Sequence, residues 1–291
     1  MTVDFIRFKA SDQVELQGWL SNVVGETAAI HLHGMSGNGY ENYFLDSLRT
    51  MYTKNWISFF PIDTRGRGVI SDFRQGSDWK TGGSCFEIFD ESVFDIQGAM
   101  DFLKTLGKTK FVLQGHSLGA SKTVNYVLQR GHSEINALVL LAPTDMVGWA
   151  SSHPEHKEYL ATAEKLLSEG KGKELVAPQC WLDKTPISAQ TYPTICRPGT
   201  AVDIYNSSVE KAPLGRVTLP TIIVYGDEDI GITKVDGSMG NWLKRVNKIK
   251  NKNTVISVIS GAGHGLRGYE EKLSQAVESF IVKHKDQLLE I

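Results

Sequence analysis

The chain opens with two short runs in which apolar and polar side chains alternate, residues 3–8 and 14–20. That two-residue period predicts half-buried antiparallel strands. Residues 28–32 form a short apolar strand ending in His33-Gly34. From there the pattern changes. Residues 56–61, 111–114, 137–141, 221–225 and 255–259 are nearly continuous in β-branched, aliphatic and aromatic residues. Parallel strands buried on both faces have this composition. Between them lie helical periods. Phe89, Val93, Ile96, Met100 and Leu103 step by four and three residues, and Tyr269, Leu273, Ala276 and Phe280 do the same near the C-terminus. Such steps put side chains on one face of a helix. Alternating strands and helices predict right-handed crossovers and a doubly wound, mostly parallel α/β sheet with antiparallel N-terminal strands.

One stretch breaks the alternation. Residues 145–214 contain no predicted strand but hold six of the nine prolines, together with Trp149, Tyr159, Trp181, Tyr192 and Tyr205. An irregular connection of this length carries structure or function of its own. Residues 156–170 have helical composition. The expected organisation is therefore a core of residues 1–144 and 215–291 and a helical cap of residues 145–214. The cap would lie over the carboxyl ends of the strands, where open α/β sheets bind ligands.

Composition narrows the function. The chain has 291 residues, with 31 Lys and Arg against 33 Asp and Glu, a formal charge of -2. No basic field is present to hold nucleic acid, and no apolar run approaches the ~20 residues of a membrane span. The N-terminus has no secretory pattern. Three cysteines, Cys85, Cys180 and Cys196, make no disulfide framework and no metal-ligand spacing, which fits a reducing cytoplasm. No cofactor or metal is expected. Gly263 to Gly268 reads G-x-G-x-x-G, but no strand follows it to complete a dinucleotide site.

The chemistry centres on Gly115-His116-Ser117-Leu118-Gly119. This Gly-x-Ser-x-Gly run follows a strand directly and precedes the apolar helical residues 120–128. A strand entering a helix through so sharp a turn strains the serine, and glycine two positions to either side removes clashing side chains. A serine hydroxyl needs a base to act as a nucleophile. His264, in the glycine-rich loop Gly261-Ala262-Gly263-His264-Gly265 after the last strand, is the candidate. An imidazole in that role needs a carboxylate to orient it. Asp227, Glu228 and Asp229 follow the preceding strand.

With these motifs in that order the chain resembles an α/β-hydrolase over nearly its whole length outside residues 145–214. The resemblance implies Ser117 as nucleophile, His264 as base and Asp229 as acid, three residues after Gly226; Asp227 is the alternative acid and Asp145 a minor one. His33-Gly34 resembles the family's HG turn, which implies an oxyanion hole from the backbone amides of Met35 and Leu118. Asp63-Thr64-Arg65-Gly66-Arg67-Gly68 resembles the family's D-x-R-G-x-G loop, read as structural bracing. Relatives with aspartate or cysteine at the nucleophile position catalyse other reactions, so serine points to acyl transfer.

The expected activity is a cytoplasmic serine esterase cleaving a carboxylic ester or thioester with an apolar or aromatic group. Trp149, His153, Trp181, Tyr192 and Tyr205 are candidates for the substrate wall. The resemblance extends to feruloyl- and cinnamoyl-ester hydrolases and to monoacylglycerol-lipase-like enzymes without choosing among them. The same residues would serve an acyltransferase or cyclase, and a non-catalytic binder of small molecules is the alternative from another class. The sequence leaves the oligomeric state open.

Overall fold

The computed structural model describes residues 2–181, 185–206, 208 and 210–288. Its centre is an eight-stranded sheet of β1 (Asp4–Lys9), β2 (Glu15–Leu20), β3 (Thr27–Leu32), β4 (Ser58–Asp63), β7 (Lys110–His116), β8 (Ile135–Leu141), β11 (Thr221–Gly226) and β12 (Thr254–Ile259). The spatial order is β1-β2-β4-β3-β7-β8-β11-β12. β1 pairs antiparallel with β2, and β2 with β4. From β4 to β12 every neighbouring pair is parallel. The first two were legible as alternating runs and the other six as apolar runs. β4 begins later than its run because Trp56 takes a left-handed φ of 59° in the preceding turn.

Alternation within the parallel strands builds two cores. Ala28, Ile30 and Leu32 of β3, Phe111 and Leu113 of β7, and Leu138 and Leu140 of β8 face one core. Ala29, Val112, Ala137, Val139 and Leu141 face the other. Helices α2 (Ser92–Lys104), α3 (Leu118–Arg130) and α9 (Met239–Ile249) cover the first face through Val93, Ile96, Val124, Val127, Trp242 and Val246. Helices α1 (Phe44–Lys54) and α10 (Glu270–Lys283) cover the second through Phe44, Leu48, Leu273, Val277 and Phe280. Strands β3, β4, β7, β8 and β11 are thus buried on both faces, which is why their sequences lack polar alternation, whereas β12 at the sheet edge keeps Val255 and Val258 exposed. The fold is that of an α/β-hydrolase.

The long insertion contains α4 (Met146–Ser151), α5 (His156–Ser168), α6 (Tyr192–Cys196) and α7 (Pro213–Arg216). It also contains an antiparallel ribbon of β9 (Leu175–Trp181) and β10 (Thr185–Ser188), which helical composition did not anticipate. A second unforeseen ribbon, β5 (Ser71–Gln75) with β6 (Asp78–Gly82), follows the Asp63–Gly68 loop. Both ribbons are short and lie outside the main sheet, and Pro178 interrupts the pattern of β9. The insertion packs around a third cluster, in which Met146, Ala163, Cys180, Trp181, Ile187, Tyr192 and Ile195 meet Phe89 and Leu118 of the core. Ile204, Tyr205 and Leu214 join the sheet's core instead. Among the described residues no helix is long and apolar enough to cross a membrane.

The Asp63–Gly68 loop is held by charge. Asp63 accepts hydrogen bonds from Gln17, the Gly39 amide and Arg67. The buried Arg65 guanidinium reaches Asp12, Glu91 and Asp95.

Candidate active site

The carboxyl ends of β3, β7, β8, β11 and β12 all open on one edge of the sheet, and the residues singled out by sequence hang from them. At the end of β7, Ser117 takes φ 54° and ψ -122°, a conformation that strains any residue with a Cβ. Two glycines permit it. A Cβ at Gly119 would stand 2.3 Å from the Leu32 carbonyl oxygen, and one at Gly115 2.3 Å from the backbone of Gly119. The turn can therefore be this tight only with glycine at both places. Its reward is a half-buried hydroxyl facing the cavity at the start of α3, where unpaired amides favour negative charge.

His264 Nε2 lies 3.0 Å from Ser117 Oγ. On its other side Nδ1 lies 3.0 Å from both carboxylate oxygens of Asp229. A carboxylate only accepts, so Nδ1 carries the proton and Nε2 presents its lone pair to the serine hydroxyl. Asp229 is fully buried and caps helix α8 (Ile230–Asp236), accepting from the Gly231 amide at 2.7 Å. Three side chains from positions 117, 229 and 264 thus form one hydrogen-bonded row.

The other two carboxylates proposed as acids are engaged elsewhere. Asp227 accepts from the Gly261 amide at 2.6 Å and braces the loop that carries His264. Asp145 caps α4 through the Gly148 amide and pairs with Arg245 at 2.7 Å. Neither is hydrogen-bonded to the imidazole of His264, which Asp229 contacts.

His116 was not anticipated. Its Nε2 donates to the His264 carbonyl at 3.0 Å, and the two rings lie 5.1 Å apart. Burial, reinforced by the neighbouring His264, pushes the His116 imidazole down to about 4. Burial also holds His33 near 4, with Lys122 adding to the effect, and His31 well below the usual range. Of these rings it is His116 that lies against His264, and burial favours its neutral form. Thr144 was missed as well. Its Oγ1 lies 3.1 Å from Ser117 Oγ. The signal available was its place just past the end of β8, the strand adjoining that of Ser117 in the sheet.

A cavity of about 330 Å3 opens on Ser117 and His264, walled by Gly34, Met35, Thr144, Met146, Trp149 and Trp181. Beside it lies a second, of about 300 Å3, to which Trp149 and Trp181 also belong. Their rings lie 5.8 Å apart between the two. Of the five aromatic and histidine candidates, Trp149 and Trp181 therefore face the serine, while His153 and Tyr192 line only the neighbouring chamber. Tyr205 does neither. It is buried in the sheet's core, its hydroxyl bonded to Tyr225 and to the Pro143 carbonyl. Aromatic composition alone could not separate a pocket wall from a core residue. Among the described residues no cluster of metal-ligating side chains occurs.

Solved structures share this architecture over nearly the full chain. Est1E from Butyrivibrio proteoclasticus, determined with ferulic acid, has a TM-score of 0.66 and 17% identity over 96% of this chain and 99% of its own. The α/β hydrolase GrgF from Penicillium sp. sh18 has a TM-score of 0.71 and 14% identity, covering 99% of each chain. The Pyrococcus furiosus esterase Pf2001 has a TM-score of 0.60 and 18% identity over 97% of this chain and 90% of its own. A search of curated proteins finds no match. A family model described as a protein of unknown function, DUF1749, matches residues 78–284. With most of its length inside that model and its strands in the α/β-hydrolase arrangement, the chain belongs to the DUF1749 family.

Proposed function

We propose that the protein is a serine hydrolase acting on carboxylic esters or thioesters through an acyl-enzyme on Ser117. The observation that carries this reading is the unbroken row from Ser117 Oγ through His264 to Asp229, with 3.0 Å at each step. Ser117 attacks the carbonyl carbon as His264 Nε2 takes its proton. Asp229 keeps its charge, holds the Nδ1 proton and offsets the imidazolium. The carbonyl electrons move onto oxygen, where the amides of Met35 and Leu118 receive them. Leu118 is the first residue of α3, so its amide has no acceptor within the helix. His264 then protonates the leaving group and activates water to release the acid.

The insertion supplies the cap in this reading, with Trp149, Trp181 and Met146 forming an apolar wall opposite the nucleophile. Such a wall favours an aromatic or bulky apolar acyl or alcohol group. The ferulic acid held by Est1E, a protein of the same fold, supports that choice.

The test is reaction with a fluorophosphonate probe, with the adduct located by mass spectrometry, alongside turnover of p-nitrophenyl esters. Wild-type protein is expected to be modified at Ser117. Ser117→Ala should lose labelling and retain only about 10⁻⁴ of the turnover. A folded wild-type protein that neither labels nor turns over an ester would overturn the proposal and leave a non-catalytic binder.

A further inference from the structure

Thr144 occupies a position that the serine, histidine and aspartate do not account for. Its side chain is buried, and its hydroxyl is within hydrogen-bond distance of the same oxygen that faces His264. Counting protons fixes the direction of that bond. Ser117 has one hydroxyl proton. His264 Nε2 has a lone pair and no proton, because Nδ1 faces the carboxylate of Asp229. The serine proton therefore goes to Nε2, and in the contact between Thr144 and Ser117 the threonine must donate.

The backbone around Thr144 is built to hold it. The Pro143 carbonyl accepts from Tyr205 at 3.1 Å and also from Tyr225. The Ala142 amide donates to the Val224 carbonyl at 2.8 Å. On the other side Asp145 is fixed by the Gly148 amide and by Arg245. Thr144 thus sits between two anchored residues, and its hydroxyl is aimed into the cavity on Ser117.

We propose that Thr144 is a catalytic donor to Ser117 Oγ, and that it acts when this oxygen departs. The inference rests on the acyl-enzyme reading above. In the second half of the reaction, water has added to the acyl carbon and His264 Nε2 carries the proton taken from that water. The bond from carbon to Ser117 Oγ breaks, its electron pair moves to Oγ, and the oxyanion re-forms the carbonyl. Oγ then takes the proton from Nε2. Thr144 keeps its own proton throughout and donates a hydrogen bond to the oxygen as negative charge grows on it. The same bond occupies a lone pair before attack, so it gives nothing comparable to the first step. Thr144 therefore favours deacylation over acylation.

Two rates separate these steps. Labelling by a fluorophosphonate reports attack by Ser117. Decay of a carbamoyl adduct, formed with a p-nitrophenyl carbamate and followed by mass, reports deacylation, the half-reaction that includes its expulsion. Thr144→Val matches the shape and removes the donor; Thr144→Ser keeps the donor. Thr144→Val should label within about threefold of wild type while its carbamoyl-Ser117 decays about tenfold more slowly, the scale of one hydrogen bond to a charged oxygen. Thr144→Ser should decay at close to the wild-type rate. Equal decay in wild type and Thr144→Val would overturn the proposal, as would a parallel fall in both rates, whether or not Thr144→Ser restores them. Wild-type protein that forms no adduct at Ser117 would instead remove the acyl-enzyme reading, and this inference with it.

Discussion

The cavity on Ser117 has two walls, and they are made differently. One is the row of turns leaving the sheet. There the backbone holds itself: the Ser117 amide donates to Leu141, Asp227 to Ile259 and Glu228 to Ala262. Side chains at 117, 229 and 264 inherit their positions from strand register. The other wall comes from the insertion, where Met146, Trp149 and Trp181 are placed by side-chain packing around an apolar cluster that meets the core at Phe89 and Leu118. A wall set by backbone register holds atoms to the tolerance that bond-making needs. A wall set by packing can exchange side chains without disturbing that register. The difference predicts that changes on the first wall affect every substrate alike, and changes on the second discriminate among substrates.

The sharpest way to break this comparison is to swap charge for amide at two neighbouring carboxylates on the same turn. Asp229→Asn would turn an amide toward His264 and favour a proton on Nε2, leaving no lone pair for the serine. We expect kcat to fall about 10⁴-fold with every ester tested. Asp227 bonds only a loop amide, so Asp227→Asn should stay within about fivefold of wild type, the scale of one neutral hydrogen bond. Steady-state kinetics on short and aromatic p-nitrophenyl esters decide it. Similar losses in the two variants would mean that the acid has been misassigned.

The same contrast explains what could be read from sequence. The strands were legible because burial on both faces leaves runs such as Ala137 to Leu141 with no polar residue. The serine turn was legible because Gly115 and Gly119 answer to close backbone approaches that tolerate nothing else. His264 was singled out by its glycine loop after the last strand; the turn after β11 offered three carboxylates, and the resemblance to α/β-hydrolases picked Asp229 among them. In the insertion the signal faded. The β9 and β10 ribbon is too short and too irregular to show a period, and Pro178 argues against a strand. Trp181 and Tyr205 look alike in composition, yet one lines the cavity and the other holds the Pro143 carbonyl from within the core. Thr144 and His116 act through contacts between strands that only the sheet order brings together.

A change on the packed wall sharpens the comparison from the other side. Trp181 is nearly buried and stands between the two chambers. Trp181→Ala should lower kcat/KM for an aromatic ester by about 2 kcal/mol, roughly thirtyfold, through lost apolar contact. With an acetate ester the change should stay within about threefold. Equal losses on both substrates would place Trp181 among the residues that hold the nucleophile's geometry, and the separation between the walls would fail.

The smallest expected effect is in stability, and it tests whether the backbone-set wall really rests on neutral imidazoles. His116 and His33 are held near 4 by burial, against about 6.5 in the unfolded chain. Between those values the unfolded state binds protons that the folded state refuses. Stability is therefore fully present above about pH 6.5 and is lost as pH falls toward 4, by about 1.4 kcal/mol per pH unit for each such histidine. Urea unfolding between pH 6.5 and 5.0 measures the slope, in a range above the titration of ordinary carboxylates. His116→Gln preserves a donor for the His264 carbonyl and removes one titrating ring. Over that range its average slope should be shallower than wild type by about 1 kcal/mol per pH unit, because the unfolded imidazole is only half protonated at about pH 6.5. An unchanged slope would mean that His116 is charged in the folded protein. The imidazole of His264 would then sit beside a cation, and the reading that a neutral ring backs the row from Ser117 to Asp229 would have to be given up.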